Sequence, residues 1–168
     1  MNTGTRVYEM RSRADAAAAT GERILDAAEA LFWELPLDQI SLDEVARRAE
    51  VSVQTVIRRF GGKDGLVDAA AERAQRRISD ERAAAPVGDL QGSVAVLMEH
   101  YETYGDRVMR LLADESQTPR IGEMVEQGRI AHREWCARVF APTLKELKGA
   151  ARVRRSAQLV AICDVYTW

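Results

Sequence analysis

Two short helical segments joined by a tight turn occupy residues 41–60, and this arrangement constrains the fold more than any other feature of the chain. Ser41 begins a capping box, in which its hydroxyl accepts from the backbone N–H of Glu44 while the Glu44 carboxylate reaches back to the Ser41 N–H. Ser52 is the expected N-cap of the second segment, and Gly61 ends it. Two short helices at this spacing predict a helix-turn-helix.

The side chains of this segment separate into an inward and an outward set. The apolar residues expected to hold the two helices together are Leu42, Val45, Ala46, Val51, Val56 and Phe60. The outward face of the second helix presents Val53, Gln54, Thr55, Arg58 and Arg59. Glutamine suits an adenine edge, the methyl groups of valine and threonine suit thymine methyls, and arginine suits phosphate or guanine. This face therefore has the chemistry to read the major groove of DNA.

Charge supports nucleic-acid binding only locally. The whole chain has a formal net charge of -2 and a pI of about 5.8, so it lacks an overall basic balance. Between residues 41 and 63, five basic residues accompany three acidic ones, which leaves a net charge of +2. Asp43 and Glu44 lie at a helix start, where a negative charge complements the helix dipole. The cations are concentrated on and after the second helix.

The rest of the chain is helical in pattern, with no strand pattern and no internal repeat, so we expect an all-α fold. Thr20 is the expected N-cap of a first helix that runs to Glu34, and a fourth helix follows Lys63. Beyond Pro86, apolar residues at helical spacing predict helices over 90–104, 106–113 and 119–140, and a last one from about Ala150 to Trp168.

Three regions follow from this pattern. We interpret residues 1–19 as a flexible, locally basic arm that carries Arg6, Arg11 and Arg13. Residues 20–66 form a three-helix DNA-binding headpiece, and residues 67–168 form a helical body. Because the last apolar helix reaches Trp168 without a cap, we expect the body to be truncated at its C-terminus.

Several functional classes are disfavoured by composition and motifs. No apolar run long enough for a membrane span is present, and the N-terminus lacks a secretory apolar segment, so we expect a cytoplasmic protein. No phosphate loop, catalytic triad or paired-carboxylate motif is present, so we expect neither an enzyme nor a cofactor. His132 and Cys136 share a helical face but are too few ligands for a closed metal site. A redox role for Cys136 or Cys163 is disfavoured to the same degree.

The headpiece resembles the DNA-binding domain of TetR-family regulators. The resemblance is strong over about residues 20–70 and rests on the segments Ile24–Ala28, Ile40–Ala46, Ala49–Ser52, Thr55–Phe60 and Lys63–Leu66. It departs from the family pattern at three positions. Glu50 replaces the usual turn glycine, Ile57 replaces a common phosphate-binding tyrosine, and Arg59 stands where histidine is frequent.

The resemblance implies roles for individual residues. Ser41 would cap its helix beside a phosphate, Val53, Gln54 and Thr55 would read bases, and the cations after them would hold the backbone. The full predicted DNA-binding set is Ser41, Arg47, Arg48, Ser52, Val53, Gln54, Thr55, Arg58, Arg59 and Lys63. For Arg47 and Arg48, an alternative role as solvated cations at a helix end stays open.

The resemblance also implies that the body forms a homodimer and binds a small hydrophobic effector. Its predicted pocket residues are Leu97, Met98, Tyr101, Tyr104, Met109, Leu112, Met124, Trp135 and Phe140. The alternative is that these residues are simply core, which apolar residues at helical spacing usually are. The expected function is repression at a palindromic operator, relieved when the effector changes the spacing of the two headpieces. The competing interpretation is a helical interaction module with weakened or lost DNA binding.

Overall fold

The computed structural model describes the backbone of residues 3–168 and the side chains of residues 14–168 except Asp38. Within that range the chain is all-α, as predicted, and no strand occurs. Its helices are α1 (Thr3–Glu34), α2 (Leu42–Arg48), α3 (Val53–Phe60), α4 (Lys63–Ala83), α5 (Leu90–Ala113), α6 (Pro119–Val139), α7 (Ala141–Leu144) and α8 (Gly149–Ile162). Short 3-10 segments cover Leu37–Gln39 and Val165–Thr167. None of the helices in the described residues has both the length and the apolar character needed to cross a membrane.

The first helix begins earlier than predicted. The backbone is helical from Thr3, so residues 3–19 belong to α1 and do not form a separate flexible arm. Thr20 is not an N-cap, because its hydroxyl donates to the carbonyl of Ala16 at 2.9 Å within the helix. The alanine run before Thr20 has high helix propensity and continues the helix. The side chains of Arg6, Arg11 and Arg13 lie outside the described residues.

Two predictions about the later helices are also corrected. α5 is one continuous helix where two were expected, because Gly105 does not break it. A Cβ at Gly105 would lie 2.6 Å from the ring of Trp168, so this glycine permits close packing. The last helix ends at Ile162, and the Asp164 carboxylate accepts from the Tyr166 N–H at 3.1 Å to start a 3-10 turn instead.

The chain divides into two compact units, Met1–Ala74 and Gln75–Trp168. The core of the first unit contains one or more buried apolar residues from each of its four helices, among them Ile24, Leu31, Val45, Val56 and Leu66. All six residues predicted to face inward in the helix-turn-helix are buried in this core or packed against it. The predicted functional boundary at residue 66 remains a prediction.

An ion-pair network joins α4 to α1 within the first unit. The Arg73 guanidinium binds Glu22 at 2.9 Å, Asp26 at 2.7 Å and Glu29 at 2.6 Å. These acids recur at helical spacing on one face of α1, so a single arginine contacts three of them. The network holds α4 beside α1, which in turn supports the helix-turn-helix.

The second unit has its own core, formed mainly by α5, α6 and the segment after α8. Tyr101, Trp135, Cys136 and Cys163 are among its buried members. The Tyr101 hydroxyl donates to the Cys163 carbonyl at 2.8 Å, which fixes the end of α8 against α5. α8 itself contributes no fully buried residue.

Candidate nucleic-acid interface

Both helices of the predicted helix-turn-helix begin with a serine cap. The Ser41 hydroxyl accepts from the Glu44 N–H, and the Ser52 hydroxyl accepts from the Thr55 N–H, each at 3.2 Å. The Thr55 hydroxyl also lies 2.9 Å from that of Ser52. These bonds satisfy backbone donors that a helix start otherwise leaves unpaired, so they define where each helix begins.

The turn between the two helices contains the departure at Glu50. This residue has φ 55°, the only left-handed φ of a non-glycine residue in the described chain. Its side chain is exposed, while its neighbour Ala49 is buried, and the Val51 N–H donates to the Ala46 carbonyl at 3.0 Å. The turn therefore keeps a glycine-like backbone at Glu50, at a cost of about 1 kcal/mol in conformational strain.

The outward face of α3 is mostly as predicted. Gln54, Arg58 and Arg59 are exposed. Val53 and Thr55 are half-buried, and Val53 packs against the core, so it presents less surface than expected. Ile57, which stands where the family commonly has a tyrosine, is 38% exposed beside Arg58.

A cleft of about 620 Å³ lies between α1 and α3. We call it the basic cleft, because three of its described lining residues are arginines and none is acidic. The lining consists of Ala17, Thr20, Arg23, Val51, Thr55, Arg58 and Arg59. A cleft with cationic walls and no acid among these residues is suited to a phosphate group of a nucleic acid.

Arg23 is a member of the basic cleft that sequence reasoning missed. Its Nε donates to the Ala49 carbonyl at 3.4 Å, so it bridges α1 and the end of α2. The local sequence contains no signal for this role, since the contact joins residues 26 positions apart. Only the packing of α1 against the helix-turn-helix places Arg23 near Arg58 and Arg59.

Arg59 reaches the basic cleft across a glycine of α1. A Cβ at Gly21 would lie 2.3 Å from Nη2 of Arg59, so the guanidinium lies directly over the Gly21 backbone. Gly21 is buried, and the absence of a side chain there leaves room for the arginine. This contact orients one wall of the cleft.

Arg47 and Arg48 are engaged in ion pairs within the first unit. Arg47 binds Glu44 through Nε at 2.8 Å and Nη2 at 2.7 Å. Arg48 binds Glu44 at 3.0 Å and Glu34 at 2.8 and 2.6 Å. The Glu44 carboxylate thus accepts hydrogen bonds from the two arginines. The prediction that it completes the capping box by accepting from the Ser41 N–H is wrong. Hydrogen bonds from Arg47 and Arg48 lower the pKa of Glu44 to about 2.

Lys63 is the first residue of α4 and follows the glycine turn that ends α3. Gly61 adopts a left-handed φ of 80°, and its N–H donates to the Ile57 carbonyl at 2.8 Å. Gly65 then lies so close to α3 that a Cβ would be 1.9 Å from the Phe60 carbonyl oxygen. The turn places half-buried Lys63 immediately after the C-terminal end of α3.

The predicted effector-pocket residues are distributed between the core and the surface of the second unit. Leu97, Tyr101, Trp135 and Phe140 are buried in one core cluster, and Leu112 packs against it. Tyr104 is buried, Met124 is half-buried, and Met98 and Met109 are exposed at 42% and 37%. The core interpretation therefore accounts for the four cluster members, while Met98 and Met109 do not lie in that cluster.

Comparison with known families finds a match that lies within the first unit. Residues 24–70 match the family model of bacterial regulatory proteins, tetR family. The match covers the end of α1, the helix-turn-helix and the start of α4. No curated protein matches the chain.

Proposed function

We propose that this chain, which belongs to the TetR family of bacterial regulatory proteins through its domain at residues 24–70, is a repressor that binds a palindromic operator as a homodimer. The family establishes a DNA-binding transcriptional regulator. Repression, the symmetric operator and the dimer are our proposal, and a twofold dimer fits two inverted half-sites. The proposed site of action is the bacterial cytoplasm, where the DNA lies.

The basic cleft is the observation that best supports a DNA-binding role for these particular residues. We assign it a backbone phosphate, held by Arg23, Arg58 and Arg59, since guanidinium groups bind phosphate through paired N–H donors. Thr20 and Thr55 line the same cleft and supply hydroxyl groups. Lys63 and the two serine caps, Ser41 and Ser52, complete the proposed backbone contacts.

Base reading is assigned to α3. Exposed Gln54 is the principal reader, through paired hydrogen bonds to an adenine edge. The half-buried Val53 and the methyl group of Thr55 would contact thymine methyls. Exposed Ile57 adds apolar surface where the family commonly has tyrosine. Arg47 and Arg48 are assigned to the support of α2, because their guanidinium groups bind acids of the same unit.

Release by a small hydrophobic effector is assigned to the second unit. His100 supports this, because its Nδ1 is buried without a hydrogen-bond partner among the described residues. Its ring lies 5.2 Å from those of both Tyr101 and Tyr104, and burial lowers its pKa to about 4. A neutral, unpaired ring nitrogen among aromatic side chains suits an apolar ligand with one polar group.

Selection from a random duplex pool tests the operator proposal. The purified chain should enrich an inverted repeat whose half-sites are separated by about one helical turn or a multiple of it. Its affinity for the enriched sequence should exceed that for random DNA at moderate salt. If no sequence is enriched and both affinities are equal, the chain is better described as an interaction module that lacks specific DNA binding.

A reporter gene placed behind the enriched sequence tests repression. Expression should fall when the chain is produced and recover when α3 carries Arg58→Ala. An increase in expression with the unmodified chain would identify an activator and contradict the proposal.

A further inference from the structure

Gly21 lies in the interior of α1, where a glycine is unfavourable for helix stability. It follows four alanines and Thr20 within a helix of 32 residues, and its backbone does not have a left-handed φ. An alanine would adopt the same conformation and would stabilise the helix, because glycine loses more backbone entropy on folding. The backbone therefore does not require a glycine at this position, and the reason for it lies in the space beside its Cα.

That space is occupied by the guanidinium of Arg59, the last residue but one of α3. The three heavy atoms nearest to a Cβ built on Gly21 are Nη2, Nε and Cζ of Arg59, and Cζ would lie 2.6 Å away. Gly21 is buried, whereas the side chain of Arg59 is exposed. The guanidinium thus packs on the α1 backbone on one side and is open to solvent on another.

This contact restricts the movement of a cation without neutralising its charge. Arg47, Arg48 and Arg73 of the same unit are each held by carboxylates. No acidic residue is among the described lining of the basic cleft, and Arg59 forms no ion pair with the side chains that the structure describes. Its charge and its N–H donors are therefore available to an anion from outside the chain.

The same part of α1 contributes its own arginine to the basic cleft. Arg23 lines the cleft together with Arg58 and Arg59 of α3. The Arg23 Nε donates to the Ala49 carbonyl at 3.4 Å, which links this part of α1 to the helix-turn-helix. Contacts made by α1 thus determine the positions of both Arg23 and Arg59 in the cleft.

We propose that Gly21 is a positioning residue for DNA binding, because it lets Arg59 rest against α1 in the orientation that receives a backbone phosphate. This inference rests on the DNA-binding function proposed above. An arginine that is already ordered loses less rotamer freedom when a phosphate binds, and the smaller entropy loss raises the affinity. A side chain at residue 21 would remove this advantage without removing the charge.

Gly21→Ala should separate DNA affinity from stability. The new methyl group would meet the end of a flexible side chain, so the guanidinium can move aside while the fold stays intact. The midpoint of urea unfolding should therefore stay the same or rise. Affinity for the selected operator should fall by roughly three- to tenfold. Gly128→Ala of α6 is the matched control and should leave this affinity unchanged, because its methyl group would meet no atom within 4 Å.

A double-mutant cycle tests whether Gly21 acts through Arg59. Arg59→Ala should weaken operator binding, and the addition of Gly21→Ala should cause no further loss, since the guanidinium is already absent. Losses that add would identify a general disturbance of α1 and would overturn the proposal. An unchanged operator affinity of the single variant Gly21→Ala would overturn it as well.

The free chain tests the contact without DNA. The order parameter of the Arg59 Nε–H bond, measured by NMR relaxation, should exceed that of exposed Arg154 on α8. In Gly21→Ala it should fall to the Arg154 value, and equal mobility of the two arginines in the unmodified chain would contradict the proposal. An ordered Arg59 in a chain that selects no operator would overturn the proposed function, and the positioning role with it, while the contact at Gly21 would hold.

Discussion

Arg48 of α2 binds Glu34 of α1 at two points, with Nη1 2.8 Å from Oε1 and Nη2 2.6 Å from Oε2. Its Nε also donates to Glu44 at 3.0 Å, so one guanidinium joins the end of α1 to the acid in the first turn of α2. The sequence places Arg48 next to Arg47 in a basic stretch, which is why both were expected at DNA. The ion pairs of Arg48 link α1 and α2 within the first unit, and its predicted contact with DNA stays a prediction.

These ion pairs predict a pH dependence of stability. The arginines hold the pKa of Glu44 at about 2, against an ordinary value of 4.5. A lowered carboxylate pKa stabilises the fold above pH 4.5, and this contribution is lost as the pH falls towards 2. Thermal unfolding of Glu44→Gln should therefore vary less with pH across that range than unfolding of the unmodified chain. The effect should be modest and weaken with added salt, because the pairs are exposed.

Exposed Glu123 of α6 provides the matched control for that experiment. Glu123→Gln should leave the pH dependence as it is in the unmodified chain. If both glutamine variants flatten it equally, the ion pairs of Glu44 are not its source.

Glu50→Gly should stabilise the first unit. Glycine adopts the observed φ of 55° without the steric strain of a side chain. The gain should be about 0.5–1 kcal/mol in urea unfolding, since greater freedom of the unfolded chain offsets part of it. Glu50→Ala removes the same charge but keeps the strain, so it should give no such gain. Equal stabilisation by alanine and glycine would point to charge and not to backbone strain.

Gly65→Ala should destabilise the first unit by about 2 kcal/mol or more, because its Cβ would lie 1.9 Å from the Phe60 carbonyl oxygen. Gly128→Ala is the control in α6, where a Cβ would meet no atom within 4 Å. That change should stabilise by about 0.5–1 kcal/mol through helix propensity. Chemical denaturation measures both, and a neutral Gly65→Ala would show that α3 and α4 separate easily at this point.

Gln54→Ala should change base preference at one position of each operator half-site. Direct reading through the amide predicts a loss of about 1–3 kcal/mol for the preferred base and a relaxed choice there. Repeating the duplex selection with the variant measures this. A uniform loss of affinity across all sequences would mean that Gln54 does not read a base.

The parts of the fold that could be predicted depend on short-range interactions. The serine caps span three residues, and the inward set follows from helical spacing, so Ser41, Ser52 and Val56 were placed correctly. The family resemblance, confirmed over residues 24–70, rests on the same local segment.

The features that could not be predicted depend on contacts between distant residues. From the local sequence alone, Gly105 is expected to break the helix. The ring of Trp168, 63 positions later in the sequence, packs over this glycine. Arg23 joins the basic cleft only because α1 packs beside α3. Cys136 and Cys163 likewise share one core cluster only because α6 and the end of α8 meet. Side-chain spacing along one helix contains no information on such pairs.

The most direct test of the central claim compares two arginine pairs. Arg58 and Arg59 are exposed on α3, and Arg154 and Arg155 are exposed on α8 of the second unit. Replacing either pair with alanine removes the same charge, so total charge is matched. Affinity for the selected operator is measured by fluorescence anisotropy over a range of salt concentrations.

The account predicts that the α3 double variant weakens operator binding by about tenfold or more. The slope of log affinity against log salt concentration should also decrease in magnitude by about two per chain. The α8 double variant should bind as the unmodified chain does. Equal losses from both pairs, or no loss from Arg58 and Arg59, would contradict the claim that α3 and the basic cleft bind DNA.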